Sequence, residues 1–227
     1  MSKTDENYLQ KLFINEAKPA LNRHSGGGAD YDDGYAKGKT DGIEEGKKSE
    51  HGTFWDAFQN KGGRANYYYA FAYGRFTDAN YYPKYPILTS GGTTTSRYMF
   101  YETPITDTKV EIITNSNNID HCFNGASDLV TIRKLTVLAT TSFNSVFTSC
   151  SSLTNLTMGG TIGKNGLNLQ WSTKLTHESL RSIIDCLEDK STDTSGTAWV
   201  VTVGSENLAK LTDDDLTEIH TKGWEFK

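Results

Sequence analysis

The chain has 227 residues with 23 basic and 28 acidic side chains, a formal net charge of −5. That balance argues against a generally basic nucleic-acid binder, and the length suits one ordinary domain or two small ones. Apolar residues make up 36%, the mean hydropathy is −0.56, and no apolar run approaches the roughly 18 residues of a membrane span.

The start, MSKTDENYLQ, has one lysine and no apolar block before its first acids, so no secretory signal is expected there. Cys122, Cys150 and Cys186 cannot all pair and form no CxxC, so reduced structural thiols are expected. His24, His51, His121, His177 and His220 are scattered singly; His121 beside Cys122 is the one adjacent pair of soft ligands, and two neighbours do not make a four-ligand cage. No metal and no cofactor is expected.

Charge and aromatic content divide the chain into three. Residues 1–50 carry 8 basic and 10 acidic side chains, residues 51–97 carry 5 and 2, and residues 98–227 carry 10 and 16. In the first part, Tyr8, Leu9, Leu12 and Phe13 are spaced for one face of a short helix, the alternative being a frayed terminus. Gly34, Gly38, Gly42 and Gly46 then recur every four residues in YDDGYAKGKTDGIEEGKK. Each glycine costs a solvated helix about 1 kcal/mol relative to alanine, so a lone helix would hardly survive four. A stripe along which copies of the segment pack closely is one reading, and a polar flexible linker is the other.

In the second part, Phe54, Trp55 and Phe58 suit one face of a short helix that Gly62-Gly63 stops. From Tyr67 the run YYYAFAYGRF places Tyr67, Tyr69, Phe71 and Tyr73 on one side by strict alternation, which predicts a strand with an aromatic face. That face would serve core or subunit packing, contact with a glycan, or contact with nucleic acid. Pro83 and Pro86 would end the segment in an extended linker.

The third part is internally similar. Ile119-x-x-x-Phe123 recurs as Phe143-x-x-x-Phe147, and Ser127-x-Leu129-x-x-Ile132 as Ser151-x-Leu153-x-x-Leu156, each aligned pair 24 apart. Ala126 falls on Cys150, where a small buried group is wanted. A shortened third copy has Leu167-x-x-x-Trp171 at the same offset and Lys174-Leu175 two positions early. A period in the twenties with a Leu-x-x-Leu core is the signature of a leucine-rich solenoid. Thr131, Arg133, Asn155 and Thr157 would point away from the core, forming a candidate ligand surface.

Two clear copies are few, so caps are needed. Thr176 precedes a helix containing Leu180, Ile183, Ile184 and Leu187, and Cys186 within it is expected to be inert. AWVVTV reads as a buried strand. Thr212 starts a second helix with Asp213, Asp214 and Asp215 near its positive end, Gly223 ends it, and Trp224 with Phe226 forms a last strand. The fold class is therefore α+β: N-terminal helical oligomerisation segment (1–50), aromatic-rich connector (51–97), and leucine-rich-repeat domain with an α/β C-terminal cap (98–227).

The units FNGASDLVTI and FTSCSSLTNL resemble the BspA-type leucine-rich repeats of bacterial surface proteins and phage structural proteins. YDDGYAKGKTDGIEEGKK followed by FWDAFQNKGGRANYYYAFAY is similar to the N-terminal part of a group of phage tail or fibre proteins, and so is the ending LTHESLRSIID … TVGSENLAKLTDDDLTEIHTKGWEF. The chain departs from the repeat pattern where Gly125-Ala126 replaces the usual Cys and where the strand after Leu156 runs into Gly159-Gly160. The resemblance brings no catalytic residues with it. It implies a non-enzymatic virion structural protein of a tail fibre, baseplate or related appendage, assembled in the host cytoplasm. The expected partners are copies of itself, a homo-oligomer with a trimer favoured, other virion proteins, and a host cell-surface glycan or protein. Neither nucleic acid nor membrane insertion is expected. The alternatives are a BspA-like bacterial surface adhesin and a virion glycan-degrading enzyme. The enzyme would need two carboxyls about 5–10 Å apart in a cleft, whereas Asp213-Asp214-Asp215 is better explained by a helix start and Glu188-Asp189 by a helix end.

Overall fold

The computed structural model describes residues 67–227 apart from 75, 79–80, 82, 84, 90 and 92–95. The expected helices of residues 1–66, with the stripe Gly34, Gly38, Gly42 and Gly46, lie outside the described residues. One compact unit, Arg64–Tyr81 with Tyr85–Lys227, takes in every described residue but Pro83; the other, Met1–Gly63 with Tyr82–Lys84, lies otherwise outside them. The aromatic residues from Tyr67 to Tyr81, expected as part of a connector, thus share a unit with residues 98–227.

The architecture is mixed α/β with parallel sheets. In chain order the described elements are β1 (Ile87–Leu88), β2 (Glu111–Ile113), β3 (Thr131–Val137), β4 (Asn155–Gly160), α1 (His177–Cys186), β5 (Trp199–Val201), α2 (Ser205–Leu208), α3 (Asp213–Thr221) and β6 (Trp224–Phe226). Strands β1 to β4 form one sheet in sequence order, all parallel, and β5 pairs in parallel with β6. Ile87 faces Ile112, Ile112 faces Leu135, and Ile132 faces Leu156. All are buried.

Ahead of each sheet strand the chain makes a string of turns. Cys122 N–H donates to Ile119 C=O, Asn124 N–H to His121 C=O and Ala126 N–H to Phe123 C=O. Helix propagation is broken by left-handed residues four apart: Tyr69 and Tyr73, Tyr98 and Glu102, His121 and Gly125, Ser145 and Ser149, with φ between +49° and +76°. These pairs define four tiers. Backbone bonds join one tier to the next: Phe71 N–H to Met99 C=O (2.8 Å), Phe100 N–H to Cys122 C=O (2.7 Å) and Phe123 N–H to Val146 C=O (3.1 Å). Inside the turns, Phe71, Phe100, Phe123 and Phe147 stack in a fully buried column with centroids 4.7, 5.2 and 5.7 Å apart and planes within 19°.

The strand predicted over Tyr67–Phe76 is therefore absent. Tyr67, Ala70, Phe71 and Ala72 are all buried, a pattern that alternation cannot produce, because the left-handed Tyr69 and Tyr73 bend the chain into turns. The third copy also differs from expectation. Ser172 N–H bonds Leu169 C=O as Cys150 N–H bonds Phe147 C=O, so the step here is 22, not 24. Leu169 takes the buried place expected of Trp171, which is 53% exposed, and Leu175 takes that of Leu153.

A parallel sheet leaves unpaired N–H and C=O groups on its last strand. Helix α1 covers that edge of β4 and supplies partners from two serines one turn apart. Ser179 Oγ accepts from Leu156 N–H (2.9 Å) and donates to Thr154 C=O (3.2 Å). Ser182 Oγ accepts from Met158 N–H (3.0 Å), and its one proton is shared between Leu156 C=O (3.1 Å) and Ser179 C=O of its own helix (2.8 Å). Leu180, Ile183 and Ile184 are buried on the same helix, and Thr176 Oγ1 caps it by accepting from Ser179 N–H. At the end of β4, Gly160 has φ +79°, and a Cβ there would lie 2.0 Å from Val137 O, so the last turn of the sheet admits glycine alone. α3 begins in a capping box between Thr212 and Asp215, and Gly223, at φ +76°, ends it.

Removing a buried hydrogen-bond partner costs about 1–3 kcal/mol. Ser179→Ala and Ser182→Ala should each lose stability in that range in urea unfolding, while Ser151→Ala, at an exposed position, should stay within about 0.5 kcal/mol of the parent.

Candidate functional site

The four residues expected to face solvent lie together on one side of β3 and β4. Arg133, Asn155 and Thr157 are exposed and Thr131 is half-buried. Thr131 stands opposite Asn155, whose Nδ2 reaches Thr131 Oγ1 at 3.4 Å. Arg133 forms a two-armed ion pair with Asp107. Strict alternation would place Lys134 inward, but the register steps from 24 to 23 between Ile132 and Leu135. This irregularity puts Arg133 and Lys134 on the solvent side together, and Lys134 Nζ pairs with Glu111 at 3.1 Å. The spacing Ile132-x-x-Leu135, three where a strand expects two, was the sequence signal for it. Exposed pairs of this kind are screened by solvent and salt, so the face is a hydrogen-bonding surface more than a source of stability.

A second surface runs along the outer edge of the turns. The rings of Tyr69 and Tyr98 stack at 4.7 Å and 15°, and those of Tyr98 and His121 at 4.8 Å and 2°. The Arg97 guanidinium lies 5.3 Å from the Tyr98 ring centre. Tyr101 meets both Tyr98 and Tyr73 edge-on, at 5.5 and 5.3 Å. Asn124 Nδ2 sits 3.1 Å from His121 Nδ1. His121 is half-exposed while Cys122 is fully buried, so the two neighbours do not share a ligand set. Among the described residues no three His, Cys, Asp or Glu side chains gather as a metal-holding group. Burial pushes the Cys150 thiol up to about 12 and raises that of Cys122 further; neither forms an appreciable thiolate near neutral pH. Cys186 is half-buried and its thiol is likewise raised by burial.

The largest charge cluster joins α1 to α3. Asp215, nearly fully buried, receives His177 Nε2 at 2.7 Å, Arg181 Nη1 at 2.9 Å, and both N–H (2.9 Å) and Oγ1 (2.7 Å) of Thr212. Arg181 also donates to Asp185 and to Glu218, the latter at 2.6 Å. Burial alone would raise the Asp215 carboxyl, but the bonds from His177, Thr212 and Arg181 outweigh it and hold the group well below the usual carboxylate range. Sequence reading attached Asp215 only to the helix start and left His177 and Arg181 unconnected to it.

Because the folded state lowers the Asp215 pKa, its contribution is complete above the unfolded value of about 3.9 and drains away as pH falls below it. The wild-type unfolding free energy should fall as pH drops from about 4 toward 2. Asp215→Asn should start about 1–3 kcal/mol lower at pH 7, the cost of weakened buried hydrogen bonds, and show a flatter acid limb in the same measurement; identical limbs would contradict the assignment.

No helix among the described residues is long and apolar enough to cross a membrane. Comparison with protein-family models, curated proteins and solved structures finds no match to this chain.

Proposed function

We propose that this chain is a non-enzymatic structural protein of a phage virion, in a tail fibre, baseplate or related appendage, and that its tiered portion is a short leucine-rich-repeat solenoid presenting a surface for host attachment. The observation that supports this reading best is the repetition of solvent-facing polar and aromatic side chains at one-tier spacing. The parallel register sets Thr131 opposite Asn155, and ring stacking sets Tyr98 against His121, along neighbouring tiers. Such rows suit an extended partner contacted at several weak points, and many copies on one particle would turn weak contacts into avidity. The virion context comes from the sequence resemblance. Assembly as a homotrimer is assigned to the glycine-stepped segment Gly34, Gly38, Gly42 and Gly46, outside the described residues. Assembly in the host cytoplasm and release with the particle follow from the same reading.

Antibodies raised against residues 67–227 should decorate intact particles from the producing culture at one fixed site and slow their adsorption to host cells. Purified particles that carry no label and adsorb at the full rate would overturn the proposal.

A further inference from the structure

Tyr69, Tyr98 and His121 occupy the same place in three successive tiers, with φ of +56°, +54° and +57°. Ser145 holds that place in the fourth tier at φ +54°. The turn therefore does not require an aromatic residue, and a bulky side chain at positive φ is an outlier in general. Each ring covers the face of the one before it. The series stops at His121, because Ser145 carries only a hydroxyl where the next ring would lie, one ring-contact distance of about 5 Å further on. The side chains around that place are polar: Asn124 is bonded to the imidazole, Asn144 and Ser149 are exposed, and Asp120 is tied to Ser142 Oγ at 2.8 Å and Asn144 N–H at 3.0 Å.

We propose that the His121 ring face, bordered by Asn124, Asn144, Ser145 and Ser149, binds one pyranose ring of a β-linked, glucose-configured glycan that continues the stack. Such a sugar has axial C–H bonds on a flat apolar face and equatorial hydroxyl or acetamido groups around its rim. An aromatic face bordered by amides and hydroxyls complements both. A nucleobase would also stack, but residues 98–227 hold 10 basic against 16 acidic side chains and Asp120 stands at the site, which disfavours a phosphate backbone. That the glycan belongs to a host surface rests on the function proposed above; the binding itself does not.

The test is calorimetric titration of the full chain with cellohexaose, chitohexaose and hexathymidylate. At least one of the two sugars should bind, shifting the His121 ring resonances. His121→Ala should weaken binding at least tenfold by removing the platform. Ser145→Tyr should weaken it as much by extending the ring series into the site, with a single cooperative thermal transition retained. No binding of either sugar, tighter binding of hexathymidylate than of both, or full binding by both variants would overturn the proposal. Particles carrying Ser145→Tyr that adsorb normally would separate this site from attachment without touching the virion assignment.

Discussion

The structure depends on one constraint: in a stack of parallel strands and turns, the backbone donors that a tier does not satisfy internally must find their acceptors in a neighbouring tier. Phe71 N–H, Phe100 N–H and Phe123 N–H all point along the stack to carbonyls 22 to 28 residues ahead in sequence. This fixes register, and register fixes what each side chain meets. Once the tiers align, a phenylalanine at the inner turn position stands above its equivalents, and four such rings exclude water from the centre with their planes nearly parallel. A fully buried phenylalanine is worth roughly 1.5–3 kcal/mol relative to an exposed one, but its value here requires a neighbouring tier on which to lie.

The same constraint makes termination a separate problem. Strand β4 cannot end the sheet by pairing with a fifth strand, since the 22-residue step after it runs into α1. Two serine hydroxyls, each acting as donor and acceptor at once, stand in for the missing ladder. Helix α1 must be held at a fixed height for this to work, and the Asp215 cluster holds it: Arg181 and His177 come from α1, while Asp215 and Glu218 come from α3. α3 in turn lies between β5 and β6, where Trp224 Nε1 donates to Glu188 C=O at 2.7 Å. Edge satisfaction, charge pairing and the small second sheet thus act in series on the last tier.

Sequence reading reached the parts in which chemistry repeats at constant spacing. The 24-residue offset was legible from Phe123, Phe147, Leu129 and Leu153 because both tiers use the same residue types. The first tiers were hidden for a physical reason: Phe71 to Phe100 spans 29 residues, Phe100 to Phe123 spans 23, and the tyrosines between them imitate a strand pattern. Alternation of bulk carries no information about φ, so the left-handed turns at Tyr69 and Tyr73 left no signal. On the sheet, Thr131, Arg133, Asn155 and Thr157 were found by simple alternation, whereas Lys134 was missed because a local change of register decides its side. His121 was noticed only as a possible metal ligand. Its stacking on Tyr98 becomes visible when the two tiers are aligned. The caps Thr176 and Thr212 were read from local sequence, since an N-cap needs only its next three residues. The role of Ser179 and Ser182 was not, since it depends on a strand more than 20 residues away.

Layering is tested most directly by removing one layer. Excising Asp128–Ser151, one full 24-residue step as measured by the pairing of Thr131 with Asn155, joins Ser127 to Ser152 and keeps every later register. That deletion should retain native circular dichroism and a single cooperative urea transition, while excising Asp128–Ala139, half a step, should abolish both. If the whole-step chain is as unfolded as the half-step chain, or the half-step chain folds equally well, the tiers are not equivalent and the stacked architecture is wrong.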